Sequence, residues 1–106
     1  MIQSAVHVAG RYGDDPARKQ VSVSDVTQNF HDYGMIWTPE KIDFTIDGEV
    51  FFTYEPQDRS DDFWPFNADQ YLLLNVAVGG SLGGDVASDF TQDQMEVDFV
   101  RVYQLQ

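Results

Sequence analysis

Residues 30–54, FHDYGMIWTPEKIDFTIDGEVFFTY, decide the fold of this 106-residue chain. Within them, KIDFTI alternates apolar and polar side chains, which is the two-residue period of a β-strand with one apolar face. Asp47 and Gly48 come next, and this pair is typical of tight hairpins because both residues tolerate positive φ. The run EVFFTY then returns the chain. We therefore predict an antiparallel hairpin on either side of Asp47 and Gly48, preceded by an aromatic strand that ends at the turn TPEK.

The same period runs through most of the chain. QSAVHVA near the N terminus sets Val6 and Val8 on one strand face and His7 on the other. The apolar run YLLLNVAVGG at residues 71–80 predicts a central strand, and MEVDFVRVYQ at residues 95–104 predicts a closing strand. We predict about seven strands and no helix, a pattern typical of an antiparallel sandwich or barrel.

The charge of the chain limits its partners. It carries 18 acidic residues against 6 Lys and Arg, a net charge of −12. Nucleic acids and anionic membranes bind clustered positive charge, so we expect neither as a partner. The absence of cysteine from the sequence excludes disulfides and thiolate metal sites. No apolar run approaches the roughly 20 residues of a membrane span. The negative charge leaves neutral substrates and cations as possible ligands.

Four segments, taken in order, resemble the second half of glycoside hydrolase family 16, in its laminarinase or endo-β-1,3-glucanase branch. They are residues 30–54, WPF at 64–66, YLLLNVAVGG at 71–80 and MEVDFVRVYQ at 95–104. The resemblance implies an all-β, concanavalin-like antiparallel β-sandwich, with residues 1–106 forming a single partial jelly roll. It also implies retaining hydrolysis of β-1,3- or 1,3-1,4-glucans outside the cytoplasm, in an extracellular or periplasmic location.

The catalytic strand of that family, Glu-Ile/Leu-Asp-x-(x)-Glu, lies before the region of resemblance. EVDFVR near the C terminus imitates it with Glu96 and Asp98, but the second essential acid falls on Val100 or Arg101. Neither side chain can act as the acid/base that a retaining glycosidase needs. We therefore predict no catalytic residues in this chain, which would be inactive alone.

Three residues are predicted to contact substrate. The resemblance places His7 and Asn75 in the glycan cleft; the alternatives are an exposed strand histidine and an internally bonded core asparagine. Trp64 is predicted on a loop, where its flat ring could stack on a sugar, whereas Trp37 on a strand is predicted to be core. His31 and Asp32 are adjacent, so on a strand they would point to opposite faces and form no dyad.

Asp98 is the candidate metal ligand. The matching family position helps to bind a structural Ca²⁺, an ion that takes six to eight oxygen ligands. The other family ligands come from the N-terminal half, so the alternative is a solvent-facing acid. No other cofactor is expected.

Half a jelly roll exposes unpaired strand edges and apolar faces, which favour association. We expect either a homodimer or the missing N-terminal half to cover them, with β-glucan as the ligand; the alternative is a compact seven-strand monomer with a rearranged edge. Two alternative functions stay open: a non-catalytic β-glucan-binding sandwich, and a self-assembling half jelly roll with no ligand.

Overall fold

The computed structural model describes residues 1–11 and 16–105 and is all-β, with two antiparallel sheets. Its strands are β1 (Ile2–Val6), β2 (Ala17–Val21), β3 (Tyr33–Trp37), β4 (Ile42–Ile46) and β5 (Glu49–Tyr54), followed by one helical turn, α1 (Gly80–Gly83). The chain divides into an N-terminal unit, Met1–Gln70, and a C-terminal unit, Tyr71–Gln106. All five strands belong to the N-terminal unit.

The predicted hairpin is confirmed as β4 and β5. Asp47 and Gly48 form its two-residue turn, with φ of 51° and 82°. Two successive positive φ angles match the right-handed twist of the flanking strands, which is why this turn closes tightly. The pairing begins at Ile46 opposite Glu49 and is shifted by a bulge between Phe44 and Thr45.

Strand β3 completes the larger sheet, in the order β3-β4-β5. It pairs with β4 from Tyr33 opposite Ile46 to Trp37 opposite Ile42. The predicted TPEK turn connects them, and the Thr38 backbone N–H donates to the Lys41 carbonyl at 2.9 Å. The smaller sheet pairs β1 with β2, and β2 contacts β5.

The core of the N-terminal unit joins both sheets. Its buried apolar residues are Val6, Val8, Ile42, Tyr54 and Trp64. Phe44 and Phe52, which are cross-strand partners on β4 and β5, stack at the margin of this core with their ring centroids 5.5 Å apart. The predicted alternation of Val6 and Val8 is confirmed, and it fixes which face of the N-terminal segment is internal.

The prediction of about seven strands is wrong, because the described residues form only five. The runs at 71–79 and 95–104 have no regular secondary structure, and nearly all of their side chains are exposed. A strand persists only when a neighbour satisfies its backbone N–H and C=O groups, and no strand in the described part of the chain pairs with either run. No helix among the described residues is long and apolar enough to cross a membrane.

Candidate functional site

The four predicted site residues divide between the two units. His7 directly follows β1 and is exposed, while its neighbours Val6 and Val8 are buried. Trp64 lies in the core of the same unit. Asn75 and Asp98 are exposed residues of the C-terminal unit, without regular secondary structure. Within the N-terminal unit, His7 faces away from the core that holds Trp64, so the structure does not bring these two side chains together.

Trp64 lies on a loop between β5 and the C-terminal unit, as predicted, but its ring is buried in the core instead of being free to stack on a sugar. Its side chain is only 2% exposed. Tyr54 stacks against the indole at 6.1 Å, Phe66 meets it edge-on at 5.4 Å, and the Arg59 guanidinium lies 4.8 Å from its centre. The indole N–H donates to the side-chain amide oxygen Oδ1 of Asn67 at 3.3 Å. In this structure the ring therefore presents no face to a sugar.

The loop around Trp64 is tied to the sheets by polar contacts as well as by rings. The Tyr54 hydroxyl donates to the Phe63 carbonyl, and burial raises the pKa of this hydroxyl. The Gly10 N–H donates to the Asp62 carbonyl at 2.7 Å. The sequence signal for this burial was FWPF itself, because three aromatic rings within four residues are too apolar for a solvated loop.

Trp37 was predicted to be core, yet it is 42% exposed. It continues a row on one face of the edge strand β3, where Tyr33 and Met35 are 57% and 53% exposed. Near Trp37, an open groove of about 230 Å³ is lined by Thr38, Pro39, Phe66 and Asn67. The N-terminal unit therefore presents an apolar aromatic surface next to an amide.

A histidine held by two carboxylates is the best-defined polar cluster of the N-terminal unit. His31 Nδ1 lies 2.7 Å from Asp47 Oδ2, and His31 Nε2 lies 2.9 Å from Asp25 Oδ1. The Asp32 backbone N–H and the Asn29 amide donate to the other oxygens of Asp47 and Asp25, each at 2.9 Å. The imidazole is 13% exposed, so this cluster is partly sheltered from water.

These contacts shift all three pKa values. The hydrogen bond to Asp47 raises the pKa of His31, against an opposing effect of burial. The hydrogen bond from His31 lowers the pKa of Asp47, and that from Asn29, followed by that from His31, lowers the pKa of Asp25. Sequence reasoning considered only the adjacent Asp32 as a partner of His31 and missed Asp25 and Asp47. The pairing register of β3 with β4 sets Tyr33 opposite Ile46 and so brings His31 beside the turn at Asp47 and Gly48.

A second acid, Asp43, is buried on β4 at 7% exposure. Its carboxylate accepts a hydrogen bond from the Thr53 hydroxyl of the paired strand and lies 3.0 Å from Lys41 Nζ. The Thr53 hydrogen bond, followed by that of Lys41, lowers the pKa of Asp43. A carboxylate with its partners already satisfied in this way stabilises the sheet rather than offering a free acid or base.

Glu96 and Asp98 are exposed acids in a segment of the C-terminal unit that has no regular secondary structure. Glu96 accepts a hydrogen bond from the Gln94 amide at 2.7 Å, and the Arg101 guanidinium lies 4.1 Å from the centre of the Phe99 ring. Asp98 is exposed. Across residues 1–11 and 16–105, no three His, Cys, Asp or Glu side chains are grouped to hold a metal ion. The calcium assignment of Asp98 stays a prediction.

The C-terminal unit has its own open groove, of about 340 Å³. Val76, Val78, Val86 and Phe90 supply apolar walls, and Asp85, Asp93 and Gln94 supply polar groups. The glycine-rich segment beside it turns sharply, with positive φ at Gly79, Gly80 and Gly84. Asn75 lies outside this lining, so its predicted role in a cleft has no support from the groove.

Comparison with known proteins decides the family. The family model described as glycosyl hydrolases family 16 matches residues 1–101. The chain belongs to this family. It is 35% identical over 91 residues to the beta-glucanase of Rhodothermus marinus, covering 78% of this chain and 32% of that protein. It is 32% identical over 99 residues to the keratan-sulfate endo-1,4-beta-galactosidase of Sphingobacterium multivorum, covering 92% and 23%.

Among solved structures, a laminarinase from Flavobacterium sp. UMI-01 matches with a TM-score of 0.58 at 28% identity. The match covers 60% of this chain and 28% of that one. The all-β sandwich class expected from sequence is therefore confirmed. This family 16 chain spans about a third or less of the length of the relatives that it matches.

Proposed function

We propose that this chain is the C-terminal part of a family 16 glycoside hydrolase domain that acts on β-1,3- or 1,3-1,4-glucans, and that it is inactive alone. One observation carries the proposal. The family model matches residues 1–101, yet the printed sequence contains no Glu-x-Asp-x-x-Glu strand. The chain then supplies the scaffold and part of the cleft, while the catalytic acids belong to a complementary segment.

The chemistry supports this division. A retaining glycosidase needs a nucleophile and an acid/base with carboxyl groups about 5–5.5 Å apart. Glu96, which matches the first acid of the family's catalytic pattern, is exposed and accepts a hydrogen bond from the Gln94 side-chain amide. The residue two positions beyond Asp98 is Val100, which can neither donate nor accept a proton. We therefore assign no residue of this chain to bond cleavage.

The exposed apolar row on β3 supports a requirement for a complementary segment. Tyr33, Met35 and Trp37 project from an edge strand of the larger sheet and are 57%, 53% and 42% exposed. Rows of large apolar side chains on a sheet face are stable when a second layer covers them. In the proposed domain that layer comes from the segment that carries the catalytic strand; in the alternative, a second copy of this chain supplies it.

The substrate class follows from the relatives. A beta-glucanase and a laminarinase are both named for action on glucans, which favours β-glucan. The match to a keratan-sulfate endo-β-galactosidase makes keratan sulfate the competing substrate to be tested. Both are polymers too large to cross a membrane, so we place the site of action outside the cytoplasm.

A non-catalytic glycan-binding function is the second candidate, and the groove at Trp37 and Asn67 favours it. An exposed aromatic ring can cover the apolar face of a sugar, while a neighbouring amide can bond its hydroxyls. Titration of laminari-oligosaccharides into the chain separates the candidates. Heat of binding that is lost in Trp37→Ala and kept in Tyr71→Ala would favour the binding module.

A chimera tests the proposed function. The matching C-terminal third of the Rhodothermus marinus beta-glucanase is replaced by this chain, and reducing ends released from laminarin, lichenan and keratan sulfate are measured. We expect the chimera to cleave a β-glucan, and a matched chimera with its upstream catalytic glutamate changed to glutamine to be inactive. Activity of the isolated chain that is abolished by Glu96→Gln would overturn the proposal.

A further inference from the structure

His31 joins two turns that are distant in sequence. One turn is at residues 25–29, where the backbone N–H groups of Gln28 and Asn29 donate to the Asp25 carbonyl. The other is the two-residue turn of the β4–β5 hairpin, which contains Asp47. We propose that His31 is a proton-operated clamp, in which the charged imidazolium fastens the hairpin turn to the turn at residues 25–29.

The clamp requires the charged imidazolium because two carboxylates must each receive a hydrogen bond from the ring. An ionised carboxylate only accepts hydrogen bonds, and a neutral imidazole carries a single N–H. Both ring nitrogens of His31 lie within 3 Å of a carboxylate oxygen, at 2.7 Å from Asp47 and 2.9 Å from Asp25. Only the imidazolium, with two N–H donors, satisfies both contacts at once.

In the described part of the chain, the carboxylates that contact His31 favour its charged form. The turn at residues 25–29 presents Asp25, the hairpin turn presents Asp47, and Asp32 contributes its backbone N–H to Asp47. Tyr33, at the start of β3, approaches the imidazole edge-on with ring centroids 6.4 Å apart. The raised pKa of His31, caused first by Asp47, agrees with this arrangement.

Loss of the proton should open one side of the clamp before the other. The contact of Nδ1 with Asp47 is the shorter, and Asp47 is itself held by the Asp32 N–H. The neutral ring therefore keeps its hydrogen on Nδ1. Its Nε2 then turns a lone pair toward the Asp25 carboxylate at 2.9 Å, which is repulsive. The turn at residues 25–29 should separate from His31 while the hairpin turn stays attached.

The test is an NMR titration of the full ¹⁵N-labelled chain between pH 5 and pH 9, following the imidazole nitrogens and the backbone amides. The His7→Gln variant assigns the two histidine signals. We expect His31 to titrate above the ordinary histidine value of about 6.5. We also expect the Gln28 and Asn29 amides to shift with the same midpoint, and the neutral ring to carry its hydrogen on Nδ1. Asp47→Asn should lower the midpoint more than Asp25→Asn does.

Three results would overturn the clamp: a His31 midpoint at or below about 6.5, amides at 28 and 29 that ignore the His31 titration, or a neutral ring protonated on Nε2. All three are read from the chain with His31, Asp25 and Asp47 unchanged. The clamp can therefore be accepted or rejected even if the Asp25 or Asp47 variants fail to fold.

Discussion

At the scale of single residues, the two tryptophans exchange the roles that the sequence suggests for them. Trp37 lies on a predicted strand with large neighbours and Trp64 on a long acidic loop, so the sequence predicts the first to be core and the second to be free to stack on a sugar. The structure reverses this, since Trp64 is 2% exposed and Trp37 is 42% exposed. The two-residue period of a strand identifies which residues share a face, but the segment that covers that face lies elsewhere in the chain.

Trp64→Ala should therefore unfold the N-terminal unit rather than weaken glycan binding alone. Replacing a buried tryptophan by alanine leaves a cavity and costs about 3–5 kcal/mol of unfolding free energy. Urea denaturation followed by circular dichroism measures this, with Trp37→Ala as the matched control at an exposed position. A Trp64→Ala protein as stable as the Trp37→Ala protein would show that the core is assigned wrongly.

A substitution at Gly10 tests the packing of the Phe63 ring against the same core. A Cβ atom at this position would lie 2.5 Å from the tip of the Phe63 ring. Gly10→Ala should displace that ring and lower the free energy of unfolding by about 1–3 kcal/mol, the usual cost of overpacking. Gly83→Ala is the control, because a Cβ there meets nothing within 4 Å. Equal stability of the two variants would argue against the contact between Gly10 and Phe63.

Among the described residues, four carboxylates with lowered pKa values and one histidine with a raised pKa contribute to the pH dependence of stability; the fourth carboxylate is Asp58, whose pKa is lowered by hydrogen bonds from Ser60. The pKa values of Asp25, Asp43 and Asp47 are lowered in the folded state, so their stabilisation is present above about 3.9 and is lost as pH falls through the folded values. The pKa of His31 is raised, so its stabilisation is complete below about 6.5 and is lost as pH rises through the folded value.

The melting temperature should therefore be highest between these two limits. His31→Gln should remove the decline of the melting temperature on the alkaline side. Thr53→Val should make the decline on the acid side less steep, because the pKa of Asp43 is then lowered less. Differential scanning calorimetry across pH 3–9 measures both. An alkaline decline that persists unchanged in His31→Gln would assign it to another group.

At the scale of elements, the β4–β5 hairpin is the part of the fold that sequence predicts best. Its alternation, its turn and its return strand are all contained within residues 42–54, so no distant partner is needed to specify them. The runs at 71–79 and 95–104 have equally strong strand patterns, yet they form no strand in the structure. They were predicted as a central and a closing strand, and both positions require neighbours that local sequence does not supply.

The hairpin turn gives the element-scale prediction. Gly48 has a φ of 82°, a conformation that costs a residue with a Cβ about 1–2 kcal/mol. Gly48→Ala should lower the free energy of unfolding by about that amount, whereas Glu49→Ala, at an exposed neighbour, should change it little. Chemical denaturation measures the difference. A stable Gly48→Ala protein would mean that the turn is not closed as described.

At the scale of the whole molecule, the family and the sandwich class were accessible from the sequence, because four ordered segments carry the resemblance. The site residues were less accessible from the sequence, because His7 is exposed whereas Trp64 is buried in the core of the same unit. In the proposed domain the cleft also needs strands from outside this chain, which spans about a third or less of the length of its relatives.

Self-association is the whole-molecule alternative. If a second copy covers the row of Tyr33, Met35 and Trp37, sedimentation should show a dimer that is lost in Met35→Lys. The net charge of −12 opposes such association, so added salt should strengthen it by screening. A monomer at every salt concentration would leave the complementary catalytic segment as the only proposed cover.

Hydrolysis of laminarin by the purified chain, alone and within the beta-glucanase chimera, is the decisive test of whether the catalytic acids lie outside this chain. We expect no reducing ends from the isolated chain and clear release by the chimera, because in the proposed function only the chimera contains both the scaffold and the catalytic acids. Reducing ends released by the isolated chain, and abolished by Glu96→Gln, would contradict it and would make the final segment catalytic.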